Sequence, residues 1–153
     1  MTRGIFFIVN QQVGDVLRGL LTELEASKYY WHIIPSQTEA LDSSFKKDIF
    51  KNEYYVGKEL LNCNFHDSYI IFLKLAAYAE KCDEKDMLTY ADFKASNCQM
   101  LFLVHDCKYV EIYVKSIHLL QAIEAYVQKT QCGCYQIKTD KRSEEHTSEL
   151  QSH

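Results

Sequence analysis

The sequence predicts an α+β fold, a single domain with a mixed β-sheet and helices packed on it. Short β-branched and aromatic runs, which are typical of strands, alternate with stretches that carry apolar residues at helical spacing. Eleven Tyr and eight Phe against one Pro and five Gly favour an ordered sheet over disorder. The expected order is β-α-β-(α)-β-α-β-β-α-β, and nothing in the composition marks a boundary between domains.

The first half of the chain begins with a strand over residues 4–9 (GIFFIV). Apolar residues at three- and four-residue steps then predict an amphipathic helix over residues 13–24, which Gly14 and Gly19 weaken. A second strand covers residues 29–34 and is stopped by the proline that follows.

The middle of the chain is less clear. Leu41, Phe45 and Ile49 have helical spacing, yet the Asp-Ser-Ser stretch at residues 42–44 equally suggests a turn. A short helix is expected over residues 56–62. The run SYIIFLKL that begins at Ser68 is apolar on both faces and predicts a central strand of the sheet.

The second half begins with a charged loop at residues 80–86. Thr89 and Asp92 form a variant of the capping-box pattern and predict a short helix over residues 90–95. Residues 99–104 and 109–114 predict a hairpin. The last two predicted elements are a helix that Ser116 caps and that ends near Gly133, and a strand that begins at Tyr135.

Residues 142–153 are interpreted as a non-native tail. The codons of a common sequencing-library adapter, read in one frame, encode Arg142–Ser152 in order and are compatible with His153. The globular domain is therefore expected to span residues 1–141. The tail is expected to be disordered, or helical without functional meaning. Arg142 and three glutamates give the tail −2, so the formal net charge of −4 becomes −2 for the domain.

Charge and hydropathy restrict the class of protein. The basic residues are scattered and the charge is nearly neutral, which argues against a nucleic-acid partner and an anionic membrane. Neither a secretory signal nor an 18-residue apolar span is present in the sequence, so we expect a cytoplasmic protein with reduced cysteines.

Several segments together resemble a family of small uncharacterised proteins from Bacillus and related Firmicutes. The segments are Arg3-Gly4-Ile5, Tyr30-Trp31-His32-Ile33, Gly57 with Leu60, Tyr69-Ile70-Ile71-Phe72 with Leu75, Thr89-Tyr90-Ala91-Asp92-Phe93, Ser96-Asn97-Cys98-Gln99-Met100, Asp106 and Tyr109-Val110-Glu111-Ile112-Tyr113. The resemblance spans most of residues 3–140 and implies kinship without an activity, because the family has none assigned.

The chain departs from that family at two places. Residues 74–79 read Lys-Leu-Ala-Ala-Tyr-Ala where the family tends to have Asp-Leu-Lys-Ala-Phe-Pro. After Lys141 the family continues with a short ending rich in Asn, Asp and Arg. The resemblance therefore implies that the adapter-like tail has replaced the natural C-terminus.

Candidate chemical motifs are few. Cys132-Gly133-Cys134 lacks the two-residue spacing and the second ligand pair of a zinc site, so a turn with incidental thiols is favoured. The acidic residues 83–86 lack the glycine and terminal glutamate of a calcium loop. His32 and His118 are taken as satisfied or surface histidines. No metal and no cofactor are predicted.

Two hypotheses for function remain. The first is a non-catalytic protein-interaction or regulatory module, with Tyr109, Glu111 and Tyr113 on the binding face of a strand and another protein as partner. The second is a small enzyme or ligand-binding protein with a site at strand ends, formed by His66, Asp67, His105, Asp106 and Cys107. Adjacent residues at a strand end point in different directions, so a polar hairpin turn also explains residues 105–107.

Overall fold

The computed structural model describes residues 2–81, 86–130, 133–139 and 150, without the side chains of residues 2 and 3. Within these ranges, eight strands form one sheet. The strands are β1 (Thr2–Ile8), β2 (Tyr30–Ile33), β3 (Glu39–Asp42), β4 (Tyr54–Val56), β5 (Ser68–Tyr78), β6 (Cys98–His105), β7 (Tyr109–Val114) and β8 (Tyr135–Thr139). The α-helices are α1 (Val13–Glu23), α2 (Tyr90–Ala95) and α3 (Ile117–Thr130).

The sheet has the strand order β4-β2-β5-β6-β7-β1-β8, and β3 pairs with the first part of β5. The long apolar strand β5 is central, as its sequence predicts. The α+β class is confirmed. The sheet is simpler than the mixed sheet that was expected, because every pair of strands in the described residues is antiparallel.

The first face of the sheet carries the main hydrophobic core. Ile5 and Phe7 of β1 project into it, together with the apolar stripe of α1 and the inner side of α3. The helical spacing of residues 13–24 therefore places α1 where the sequence predicts a packed helix.

The second face is only partly covered. Tyr90 and Phe93 of α2 pack with Leu101 of β6 and Tyr113 of β7 into a smaller cluster. The Thr89–Asp92 capping box that was predicted for α2 is present in both directions. Because α2 is short, it covers only part of this face, and the rest of the face is half-exposed.

Residues 39–56 do not form a helix. β3 and β4 occupy the ends of this stretch, and a turn centred on Asp42 lies in it. The Asp42 carboxylate accepts hydrogen bonds from the backbone of Ser44, Lys46 and Lys47, which satisfies donors that a helix would have used. Of the two alternatives for this stretch, a helix or a turn, the structure thus has the turn. The helix expected over residues 56–62 is a 3-10 helix, Gly57–Asn62.

The predicted tail lies outside the described residues apart from Leu150. That side chain is fully buried in the smaller cluster, and its backbone N–H donates to the carbonyl of Leu88 over 3.0 Å. Among the helices of the described residues, none is both long and apolar enough to cross a membrane.

Candidate interaction face

The half-exposed part of the second sheet face holds an aromatic cluster. Strand register places Ile8 of β1 opposite Tyr109 of β7, and Tyr109 opposite His105 of β6. Phe6 lies on the same face as Ile8, because Ile5 and Phe7 point into the main core. We call Phe6, Ile8, His105 and Tyr109 the aromatic face; all four side chains are half-buried.

Tyr109 is the centre of this face. Its ring lies 5.0 Å from the ring of His105 and 6.2 Å from that of Phe6, with interplanar angles of 24° and 15°. The ammonium nitrogen of Lys108 lies 5.2 Å from the centroid of the same ring, within the range of a cation–π contact. Because neighbours hold the ring on three sides, Tyr109 has little rotamer freedom left to lose on binding.

A charged network borders the aromatic face. Glu111 accepts a hydrogen bond from the Tyr113 hydroxyl over 2.8 Å and lies 2.5 Å from the Lys138 ammonium of β8. Burial disfavours the charged form of Lys138, but Tyr113 and the Glu111 carboxylate outweigh it and raise the pKa of Lys138. The network therefore presents a fixed ion pair beside the rings.

The three residues of the predicted binding strand are divided between surface and core. Tyr109 and Glu111 are half-buried at the surface. Tyr113 is 2% exposed and packs against Tyr90 and Phe93. Tyr113 thus orients Glu111 from the buried side, and only Tyr109 and Glu111 can contact a partner directly.

The residues of the second hypothesis do not form one constellation. The Nδ1 atom of His66 lies 2.9 Å from Asp15 of α1, and its Nε2 atom lies 3.4 Å from Asp67. Within the described part of the chain, no hydrogen bond or ion pair joins His66 to His105 or Cys107.

The turn that contains Cys107 has the geometry of a hairpin connection. Asp106 and Cys107 both have positive φ, and the Cys107 N–H donates to the carbonyl of Ile71. Burial, with the charges of Asp106 and Glu39, raises the pKa of the Cys107 thiol. A thiol with a raised pKa is protonated at neutral pH, whereas a cysteine nucleophile acts as the thiolate.

The remaining motifs form no chemical site within the described residues. Cys132 and residues 83–85 lie outside the described residues, while Cys134 is exposed and free. Within the described ranges, His, Cys, Asp and Glu side chains form no group that could hold a metal ion. Cys63, which was not predicted as a site residue, borders a cavity of about 390 Å³ beside Tyr55, and burial raises the pKa of its thiol.

Phe6, Ile8 and Lys138 were not predicted as site residues. The run GIFFIV indicates a strand but does not show which of its residues face the core. The pairing of β1 with β7 and β8, more than a hundred residues along the chain, brings Phe6 and Ile8 to the aromatic face and Lys138 to its border. Alternation within the run was the one local signal that could have separated Phe6 from Phe7.

The sequence of the chain matches one known protein family. The model of the family described as "Protein of unknown function (DUF2691)" matches residues 2–149, nearly the whole chain. The chain belongs to this family. The matched range contains all of the aromatic face and also includes residues 142–149 of the segment that the sequence analysis interprets as a non-native tail. The kinship predicted from the scattered segments is confirmed.

One relative of this DUF2691 chain is the "Uncharacterized protein YncE" of Bacillus subtilis (strain 168). The two are 24% identical over 128 residues, which cover 80% of this chain and 82% of the relative. The similarity thus extends over most of both proteins, and the Bacillus assignment agrees with the resemblance found in the sequence. No solved structure matches the chain.

Proposed function

We propose that this DUF2691 protein is a non-catalytic cytoplasmic interaction or regulatory module that binds another protein through its aromatic face. The observation that carries the proposal is the position of Tyr109, held between His105 and Phe6 on a half-exposed sheet surface. A tyrosine fixed in this way offers a large contact area and a polar tip at a small cost in conformational entropy.

The surroundings of Tyr109 favour a protein partner. Lys108 and the Glu111–Lys138 pair border the rings with both signs of charge, as polar rims border the apolar centres of protein interfaces. A nucleic acid would need a surface of one positive sign, and the net charge of the chain is negative. The partner we expect presents an apolar or aromatic side chain to Tyr109 and a carboxylate to Lys108.

The test compares three forms of the protein as bait in a lysate of Bacillus subtilis. The forms are the unchanged chain, Tyr109→Ala and, as matched control, Tyr135→Ala. Tyr135 is 36% exposed and hydrogen-bonds Gln128 of α3, on the opposite face of the sheet. We expect a protein that the unchanged chain and the control retain and that Tyr109→Ala does not.

A recombinant form of the captured protein then allows direct titration. Loss of a central aromatic side chain is expected to weaken binding by about tenfold or more, since such anchors contribute about 2 kcal/mol. Circular dichroism checks that Tyr109→Ala folds. Equal affinity of Tyr109→Ala and the unchanged chain, or no protein retained above bare resin, would contradict the proposal.

A further inference from the structure

A second aromatic concavity lies at the β4 edge of the sheet, between β4, β2 and β5. Its volume is about 200 Å³. We call it the tyrosine pocket, and its lining residues are Tyr30, Trp31, His32, Tyr54, Tyr55, Val56, Tyr78 and Lys81. None of them belongs to the aromatic face, so the pocket stands apart from the interaction surface proposed above.

Strand register builds the walls of the pocket. Tyr30 of β2 lies opposite Tyr78 of β5 on one side and Val56 of β4 on the other. His32 lies opposite Tyr54, and their rings stack with centroids 4.4 Å apart and an interplanar angle of 7°. The Nε2 atom of His32 lies 2.8 Å from the carboxylate of Glu53, which fixes the ring. The walls are thus flat π surfaces held in place before any ligand binds.

Two large side chains that line the pocket are exposed. Tyr54 is 51% exposed and Val56 is 53% exposed, although both are large and apolar enough to favour burial. They stand on the edge strand β4, beside the concavity. A ligand in the pocket would cover part of both side chains.

Charge selects the class of ligand. Lys81 adds an ammonium group to the lining, and no ion pair joins it to any carboxylate of the described residues. Glu80 precedes Lys81 in the chain and Glu53 precedes β4, but neither is part of the lining, and Glu53 is bonded to His32. A negative group on the ligand would therefore meet a cation that has no ion pair among the described residues.

We propose that the tyrosine pocket binds a small planar aromatic molecule that carries one acidic group. Size supports this class, since a protein cavity of about 150 Å³ accepts benzene, and the tyrosine pocket is larger by about the volume of a small substituent. The ring of the ligand stacks among Tyr30, Tyr54 and Tyr78, and its carboxylate pairs with Lys81.

Three probes separate the ring from the charge. Benzoate has both, benzamide keeps the ring without the charge, and cyclohexanecarboxylate keeps the charge without the π system. Trp31 is the single tryptophan of the chain; it borders the pocket while its indole packs in the main core, so its fluorescence gives an indirect reading of binding. Backbone amide shifts in NMR give a second reading. We expect saturable binding of benzoate below about 10 mM, with benzamide and cyclohexanecarboxylate each weaker by about fivefold.

Matched variants locate the binding. Tyr54→Ala is expected to weaken benzoate binding by about fivefold or more, whereas Tyr135→Ala leaves it unchanged. Lys81→Gln is expected to weaken benzoate by about fivefold and to leave benzamide unchanged, with the exposed Lys46→Gln as control. Tyr54 is exposed, so its variants should fold, and Tyr54→Leu provides a second apolar substitution.

Three results would overturn the inference. They are absence of saturable binding by benzoate up to about 10 mM, equal affinity for benzoate and cyclohexanecarboxylate, and unchanged benzoate affinity in Lys81→Gln. The last result would leave an aromatic pocket without selection for an acid. None of these results bears on protein capture by Tyr109, so the two proposals fail separately.

Discussion

The Oδ1 atom of Asp86 lies 2.5 Å from the ammonium nitrogen of Lys74, a side chain with no exposed surface in the middle of β5. The same nitrogen donates to the carbonyl of Met87, and Gln37 donates to the other oxygen of Asp86. Burial lowers the pKa of Lys74, while the hydrogen bond and charge of Asp86 oppose the change. The pair fastens the chain before α2 onto the second face.

Removal of Asp86 is expected to destabilise the protein more than removal of Lys74. Asp86→Ala leaves a buried ammonium without its carboxylate and should lower the free energy of unfolding by about 3 kcal/mol. Lys74→Met removes the buried charge itself and keeps most of the side-chain volume, so its loss should be smaller. Urea unfolding of both variants checks this order, and a larger loss in Lys74→Met would contradict it.

Alkaline pH should destabilise the protein through Tyr55. Burial first, and a hydrogen bond with Cys63 second, raise the pKa of Tyr55 to about 12. An unfolded tyrosine ionises near pH 10, so between pH 10 and 12 the unfolded state loses a proton that the folded state keeps. Stability therefore falls as pH rises through this window.

The Tyr55 contribution is isolated by comparison with Tyr55→Phe, which cannot ionise. We expect the unchanged chain to lose about 1 kcal/mol relative to Tyr55→Phe between pH 10 and pH 11, measured by urea unfolding at each pH. Tyr69→Phe, at an exposed position, is the control. Parallel pH profiles for the unchanged chain and Tyr55→Phe would show that Tyr55 ionises at its ordinary pKa.

Gly14→Ala should destabilise the protein although alanine is the better helix former. A Cβ at Gly14 would overlap the backbone carbonyl oxygen of Phe65, which cannot move aside as a side chain does. The overlap should cost about 1–3 kcal/mol and outweigh the gain of about 1 kcal/mol in helix propensity. Thermal unfolding measures the balance.

Gly19→Ala is the matched control on the same helix. There the new Cβ meets the hydroxyl end of the Tyr126 side chain, which can turn away. Its loss of stability should be smaller than that of Gly14→Ala. If Gly14→Ala were the more stable of the two, the close approach of α1 to Phe65 would not be a constraint on the fold.

The protonation of His66 should depend on Asp15. The hydrogen bond that His66 donates to Asp15, followed by the charge of Asp67, raises the pKa of His66 above 6.5. The ion pair therefore stabilises the fold below pH 6.5, and this contribution is lost as pH rises through the folded pKa. In an NMR titration, Asp15→Asn should move the pKa of His66 toward 6.5, with a smaller change for Asp67→Asn. If the pKa of His66 were unchanged in Asp15→Asn, the result would contradict the contact.

Elements whose signal is local could be predicted from the sequence. The Thr89–Asp92 cap sets the start of α2, and the Ser116 hydroxyl accepts the His118 N–H at the start of α3, as predicted. The hairpin of β6 and β7 also agrees, since both strands and the turn are adjacent in the chain. Caps and hairpins depend on residues within a few positions of one another.

Features that depend on distant pairing could not be predicted in this way. β4 has three residues, and only its pairing with β2 makes it a strand. The walls of the tyrosine pocket come from His32, Tyr54 and Tyr78, which strand register alone brings together. The sequence predicts Lys74 within an apolar strand, and the partner that allows its burial, Asp86, lies in the stretch predicted as a charged loop.

Leu150 gives the smaller cluster of the second face a further meaning. The interpretation of residues 142–153 as adapter-derived predicts that no natural contact was selected there, yet the Leu150 side chain is wholly buried and its amide donates to the carbonyl of Leu88. The position beside Met87 thus holds one aliphatic side chain and accepts a hydrogen bond from one backbone N–H. A purification tag joined after residue 141 should therefore avoid leucine, because an aliphatic side chain fits this position.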